Sequence, residues 1–146
     1  MSNSLDRENA LRLIAIGSSD KVRLWVIKFY YCDGLRPSEI AYIINTQTPS
    51  VKNMLKNING KTVKNFLCRE GIFKELVKLP IVFENPVVRH RREIVCRLCG
   101  KRVDYTHKVF HLVMNHKDYL EEILNTLEML VKEGSTNGEE ETDNEV

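Results

Sequence analysis

A chain of 146 residues has room for one ordinary domain or two very small ones. Hydrophobic residues are 42% of it, enough for a packed core. A unit of roughly 60 residues buries only about 60% of its unfolded surface, so a small second unit would gain from a metal. The net charge of +2 is unevenly placed. The terminal stretch GSTNGEEETDNEV holds Glu139, Glu140, Glu141, Asp143 and Glu145 and no Lys or Arg. Without those five negative charges the remainder carries +7. A basic body with a Gly/Ser/Asn-rich acidic tail, here 134–146, reads as a folded polyanion binder with a disordered end.

The apolar runs fall far short of the roughly 20 residues that a membrane span needs. MSNSLDRENALRL lacks a basic n-region followed by an apolar core, so it does not read as a secretory signal. Cys32 and Cys68 lie in apolar, helix-like stretches and read as buried thiols. These features predict an intracellular, reducing location, no membrane contact and no disulfide.

In chain order, Ser4 to Ile16 reads as a helix, ended by Gly17-Ser18-Ser19. Ser19 can cap the next helix, Asp20 to Cys32, in which Val22, Trp25, Val26, Phe29 and Tyr30 recur at helical spacing. Asp33-Gly34 closes it. Pro37 or Ser38 starts a helix through Ile44, and Asn45 sits where the chain must turn, a place where Asn tolerates left-handed backbone. Thr48-Pro49 predicts a hydroxyl cap with proline at the first helical position, and a helix to Ile58. Small Ala41 would let the two helices cross closely, with Ile40, Ile44, Val51 and Leu55 between them.

Glu39-Ile40-Ala41, Ile44-Asn45, Ser50-Val51-Lys52 and Leu55 resemble the helix-turn-helix of sigma-factor region four and of response-regulator output domains. Asn45 stands where that family usually has glycine, and Pro49 lies inside the turn. The resemblance implies a recognition helix, Pro49 to Ile58, in the major groove of double-stranded DNA. Gln47, Thr48, Ser50 and Asn53 would meet base edges, Gln and Asn being suited to adenine. Lys52, Lys56, Arg36 and Lys61 would hold phosphates. The plainer alternative is a helical bundle with a solvated polar face.

Lys61 to Leu79 reads as helical with a break near Gly71. LPIVFENPVVRHRREIV follows, a basic linker over 80–92 merging into a strand, with Arg89, His90, Arg91 and Arg92 clustered. Arg91 and Arg92 join the candidate DNA contacts. Cys96-x2-Cys99 then precedes His107, His111 and His116, a zinc-binding pattern. Gly100 eases the knuckle, Glu93–Val95 and Lys101–Tyr105 suit short strands, and Thr106 would cap a long helix running to Glu133. The stretch over 93–118 resembles a Cys-Cys-His-His zinc finger of the ββα kind. Eleven residues separate Cys99 from His111, one short of the usual spacing, and four separate His111 from His116. Lys108 falls where a leucine is expected. Lys101 and Arg102 would lie on the hairpin, facing nucleic acid.

Two ligand sets fit a Zn2+ ion. Cys96, Cys99, His111 and His116 is favoured, although residues five apart on a helix point about 140° away from each other and need a distorted turn. Exchanging His116 for His107 is the rival set. His107 shares a helix face with His111 but follows Cys99 closely. Four ligands close the shell, so a structural metal is expected, and no acid/base or nucleophile constellation suggests an enzyme.

The apolar stripe beyond the histidines, from Val109 through Leu120, Ile123, Leu124, Leu127 and Leu130, must pack on its own chain or form a homodimer. The predicted fold is mainly α: a helix-turn-helix domain over 1–79, then a ββα zinc finger with a long helix over 93–133. The expected role is transcriptional regulation by sequence-specific DNA binding. A module that acts on the transcription machinery, an accessory DNA-binding part of a recombinase, and an RNA binder are the alternatives. In organisation the chain resembles small regulators from archaea and their viruses or plasmids.

Overall fold

A computed structural model describes residues 4–88 and 92–130. The acidic tail and the expected contact Arg91 lie outside the described residues. The fold is mainly helical with one small antiparallel sheet. Among the described residues, no helix is long and apolar enough to cross a membrane.

Helix α1, Ser4–Gly17, runs through the middle of the core, with Leu11, Ile14, Ala15 and Ile16 fully buried. Helix α2, Lys21–Ile27, continues into a wider turn, Lys28–Cys32, closed by Asp33 N–H donating to the Lys28 carbonyl. Its cap is Asp20, which accepts from Arg23 N–H, and not the expected Ser19. The Ser19 hydroxyl instead donates back to the Ala15 carbonyl, finishing α1. The inward face of α2 is Leu24, Val26 and Ile27, while Val22, Trp25 and Tyr30 remain exposed. The apolar spacing of Val22, Trp25 and Tyr30 therefore marks an aromatic surface, in which Trp25 packs on Phe29 and Phe73.

Helices α3, Pro37–Ile43, and α4, Thr48–Met54, cross over a turn in which Asn45 takes φ 57°, the left-handed conformation expected of it. Thr48 is already helical. Gln47 occupies the cap position and makes no side-chain cap bond. Helix α4 ends at Met54, short of the expected Ile58, and Asn57 turns the chain with φ 61°. Helix α5, Gly60–Thr62, is capped by Asn59 and widens into the turn Val63–Leu67. Gly71, at φ 91°, starts α6, Ile72–Lys78.

Cys32 and Cys68 end the two wide turns, which lie side by side with the cysteine Cα atoms 5.4 Å apart. They form a disulfide. The expectation of two buried thiols and no disulfide is thereby corrected. Thirty-six positions separate the pair, and only the packing of the turn Lys28–Cys32 against the turn Val63–Leu67 brings them together. The cysteines no longer argue for a reducing compartment.

Strands β1, Phe83–Glu84, β2, Glu93–Cys96, and β3, Arg102–Asp104, form an antiparallel sheet in that order. Phe83 pairs with Cys96, and Ile94 with Val103. The segment read as a linker thus supplies an edge strand to the hairpin. It also ties the hairpin to α1, because Val82 N–H donates to the Ser18 carbonyl.

Candidate metal centre

The C-terminal unit is built around a knuckle. Gly100 at φ 79° lets its N–H reach back to the Cys96 carbonyl, and Cys96 N–H donates to the Lys101 carbonyl at 2.9 Å. The Leu98 and Cys99 backbone N–H groups point at the Cys96 sulfur. Cys96 is buried and Cys99 exposed, so the pair offers one sulfur from the core and one from the surface.

The expected long helix is interrupted. Asp104, not Thr106, caps its start, accepting from the Thr106 N–H and hydroxyl. A single tight turn, Tyr105–His107, leads into α7, Lys108–Asn115. Helix α7 stops at His116, whose backbone leaves the helical region at φ −131° and ψ 39°. A further helix, α8, spans 117–130. This break solves the five-residue spacing. It swings His116 back toward His111, and their rings meet 5.0 Å apart.

The ligand atoms of Cys96, Cys99, His111 and His116 all lie within 4.8 Å of one another. Cys96 Sγ is 3.5 Å from His116 Nε2, and Cys99 Sγ is 3.5 Å from His111 Nε2. Zinc held at about 2.0–2.3 Å by tetrahedral sulfur and nitrogen separates neighbouring ligand atoms by about 3–4 Å. The four residues are therefore close enough to hold a metal ion. His107 is exposed and stands outside this cluster, which corrects the rival ligand set.

The surroundings suit a metal. Burial, with His116 and Lys101 adding to it, lowers the His111 pKa and favours the neutral imidazole that ligates metals. Asn115 Nδ2 donates to the His111 carbonyl at 3.1 Å and lies 3.3 Å from Nδ1, beside a ring whose Nε2 faces Cys99 Sγ. Burial raises the Cys96 thiol, so metal uptake must displace its proton.

The apolar stripe of α8 is used within the chain. Leu120, Leu124 and Leu127 are buried in the core that contains α1. Arg7 on α1 donates to the Asn125 carboxamide at 2.9 Å and pairs with Glu121 and Glu128. Lys117 pairs with Glu8. That part of the stripe is closed to a second copy.

The candidate nucleic-acid contacts fall in two groups. Gln47, Lys52, Asn53, Lys56 and Arg36 are exposed around α3 and α4, with Thr48 and Ser50 half-buried among them. Lys101 and Arg102 are exposed on the hairpin with Arg92, and both line a cleft of about 310 Å³ with His107 and Phe110. Two further features stand out on α7. Phe110 and Met114, one turn apart on α7, are 61% and 62% exposed. Lys108 is buried, with its ammonium 3.4 Å from Asp20 and 3.6 Å from the centre of the Tyr105 ring. A lysine at a leucine position was the available signal for the second feature.

Comparison with protein-family models, with curated proteins and with solved structures gives no match for this chain.

Proposed function

We propose that the protein is a sequence-specific DNA-binding transcriptional regulator whose C-terminal unit is stapled by a structural Zn2+ ion. The observation that carries the DNA reading is the α3–α4 pair. Two short helices cross over a left-handed Asn45, bury Ile40, Ala41 and Val51 between them, and leave Gln47, Lys52, Asn53 and Lys56 on the outer side. A helix so presented enters the major groove by its first turns. Gln47 and Asn53 would pair with adenine edges, and Lys52, Lys56 and Arg36 with phosphates.

Cys96, Cys99, His111 and His116 would hold zinc. When bound, the ion supplies folding energy and no open position for chemistry. The two thiolates and two neutral imidazoles match the ligand preference of zinc. A DNA reader works inside a cell, where disulfides are rare, except in the disulfide-rich intracellular proteins of hyperthermophiles. The Cys32–Cys68 bond is compatible with that setting.

Selection from a random duplex pool, with zinc-loaded protein at physiological salt, tests this reading. Enrichment of one motif is expected. Weak, salt-sensitive binding without enrichment would overturn it. That result would favour a second reading, in which exposed Phe110 and Met114 dock a protein partner such as the transcription machinery.

A further inference from the structure

A continuous polar path joins the metal-bearing helix to the reading helix. It begins at Lys108, one turn before His111 on α7. The Lys108 ammonium is buried between the Tyr105 ring and Asp20 Oδ2. Asp20 Oδ1 accepts from Arg23 N–H at 3.1 Å, the bond that caps α2. The Arg23 guanidinium then donates from Nε to the Met54 carbonyl at 2.9 Å and from Nη2 to the Lys56 carbonyl at 3.1 Å. Met54 is the last residue of α4 and Lys56 lies two residues beyond it, where the chain leaves the helix and the carbonyls have no intrahelical partner.

Each step has a reason to hold its geometry. A buried ammonium is costly unless paired, so Lys108 must keep Asp20. Asp20 held by two donors fixes the start of α2. Arg23 leaves that same turn and reaches α4. A metal that fixes His111 also fixes Lys108, because one turn of helix connects them.

We infer that the metal centre sets the position of the DNA-reading helix, with Lys108, Asp20 and Arg23 as positioning residues. This role also accounts for a lysine where a zinc finger of the ββα kind has leucine. The inference rests on the reading of α4 as the recognition helix for its meaning, but not for its test.

The test is amide hydrogen exchange on the full chain, zinc-loaded and chelated, for wild type, Lys108→Met and Asp20→Asn. Zinc removal should speed exchange at α4 amides such as Val51 and Leu55 by about tenfold in the wild type, the size of a common inter-site coupling. In Lys108→Met, α4 should exchange fast already and respond little to zinc. Unchanged α4 exchange on zinc removal, while α7 loosens, would overturn the inference. So would a full zinc response in Lys108→Met. If the chelated protein unfolds throughout, the zinc-loaded forms decide. Both variants must then loosen α4 while Ile14 and Ala15 in α1 stay protected, and equal protection of α4 would overturn it. No DNA enters this readout, so failure of sequence-specific binding with the coupling intact would refute only the regulator reading.

Discussion

The C-terminal unit and the α3–α4 lobe rest on cores of different kinds. Ile94, Cys96, Val109, Leu112, Leu120 and Leu124 pack into the same apolar mass as Leu11, Ile14 and Leu24. The metal unit is therefore built onto α1, and each fully buried Leu or Ile there contributes about 1.5–3 kcal/mol. The α3–α4 lobe has a separate cluster of Val26, Ile40, Ala41 and Val51, with Leu55 packing on both. Four buried residues make a weak core. The lobe is held in addition by Arg23 and by a disulfide whose two ends, Cys32 and Cys68, bracket α3, α4 and α5. A small helical lobe can thus borrow rigidity through a few polar and covalent ties instead of a large core.

The strongest way to break this comparison is to remove the metal. With free zinc about 1,000-fold above its Kd, ligand linkage contributes about 4 kcal/mol. Chelation, or Cys96→Ser, should then lower Tm by about 10 °C for a domain of this size. A Tm indifferent to chelator would contradict the zinc staple. Acid should act in the same direction. The His111 pKa is lowered in the folded state, so its contribution is present above the ordinary value of 6.5. That contribution is lost as pH falls through the lowered value. Stability measured by urea at pH 7.5 and pH 5.5 should fall with acidification.

Truncations separate the two cores. Leu124→Ala and Ile40→Ala should each cost about 2–5 kcal/mol in urea unfolding. Leu124→Ala should weaken Co2+ binding, followed by its absorption, more than Ile40→Ala does, because Leu124 belongs to the metal unit's own core and Ile40 reaches it only through the Arg23–Asp20–Lys108 path. Equal weakening by both would merge the regions. Reducing Cys32–Cys68, or replacing both cysteines with serine, should cost about 2–4 kcal/mol. Faster hydrogen exchange should appear across 33–67, while the β2–β3 hairpin keeps its protection.

The smallest effects sit on the outer face of the lobe. Lys52→Ala should remove one phosphate contact and reduce the slope of log affinity against log salt by about 1, with no change of preferred sequence.

Much of both sites was legible in the sequence because it is local chemistry. Asn45 and Gly100 sit at left-handed positions, and Cys96-x2-Cys99 followed by histidines marks a metal site by spacing, with His107 or His116 left open as the fourth ligand. What was hidden depends on tertiary context. Periodicity alone does not separate an aromatic surface from a core face on α2: Val22, Trp25 and Val26 recur at helical spacing, yet only Val26 is buried. His116 as a ligand needs a distorted turn, and where that turn falls shows only in the helix break at His116. The Cys32–Cys68 pairing needs the turns Lys28–Cys32 and Val63–Leu67 side by side, and no local pattern encodes that. Asp20 caps α2 while Ser19 donates back to Ala15, and the further partner of Asp20, Lys108, lies eighty-eight positions away in sequence.

The central claim is that α4 reads DNA. It is tested most directly by running the random-pool selection in parallel on wild type, Gln47→Ala and Asn53→Ala, all zinc-loaded. Each variant should lose about 1–3 kcal/mol of discrimination at one base-pair position and keep the rest of the motif. Identical motifs from all three proteins would contradict the assignment of α4 as the reading helix.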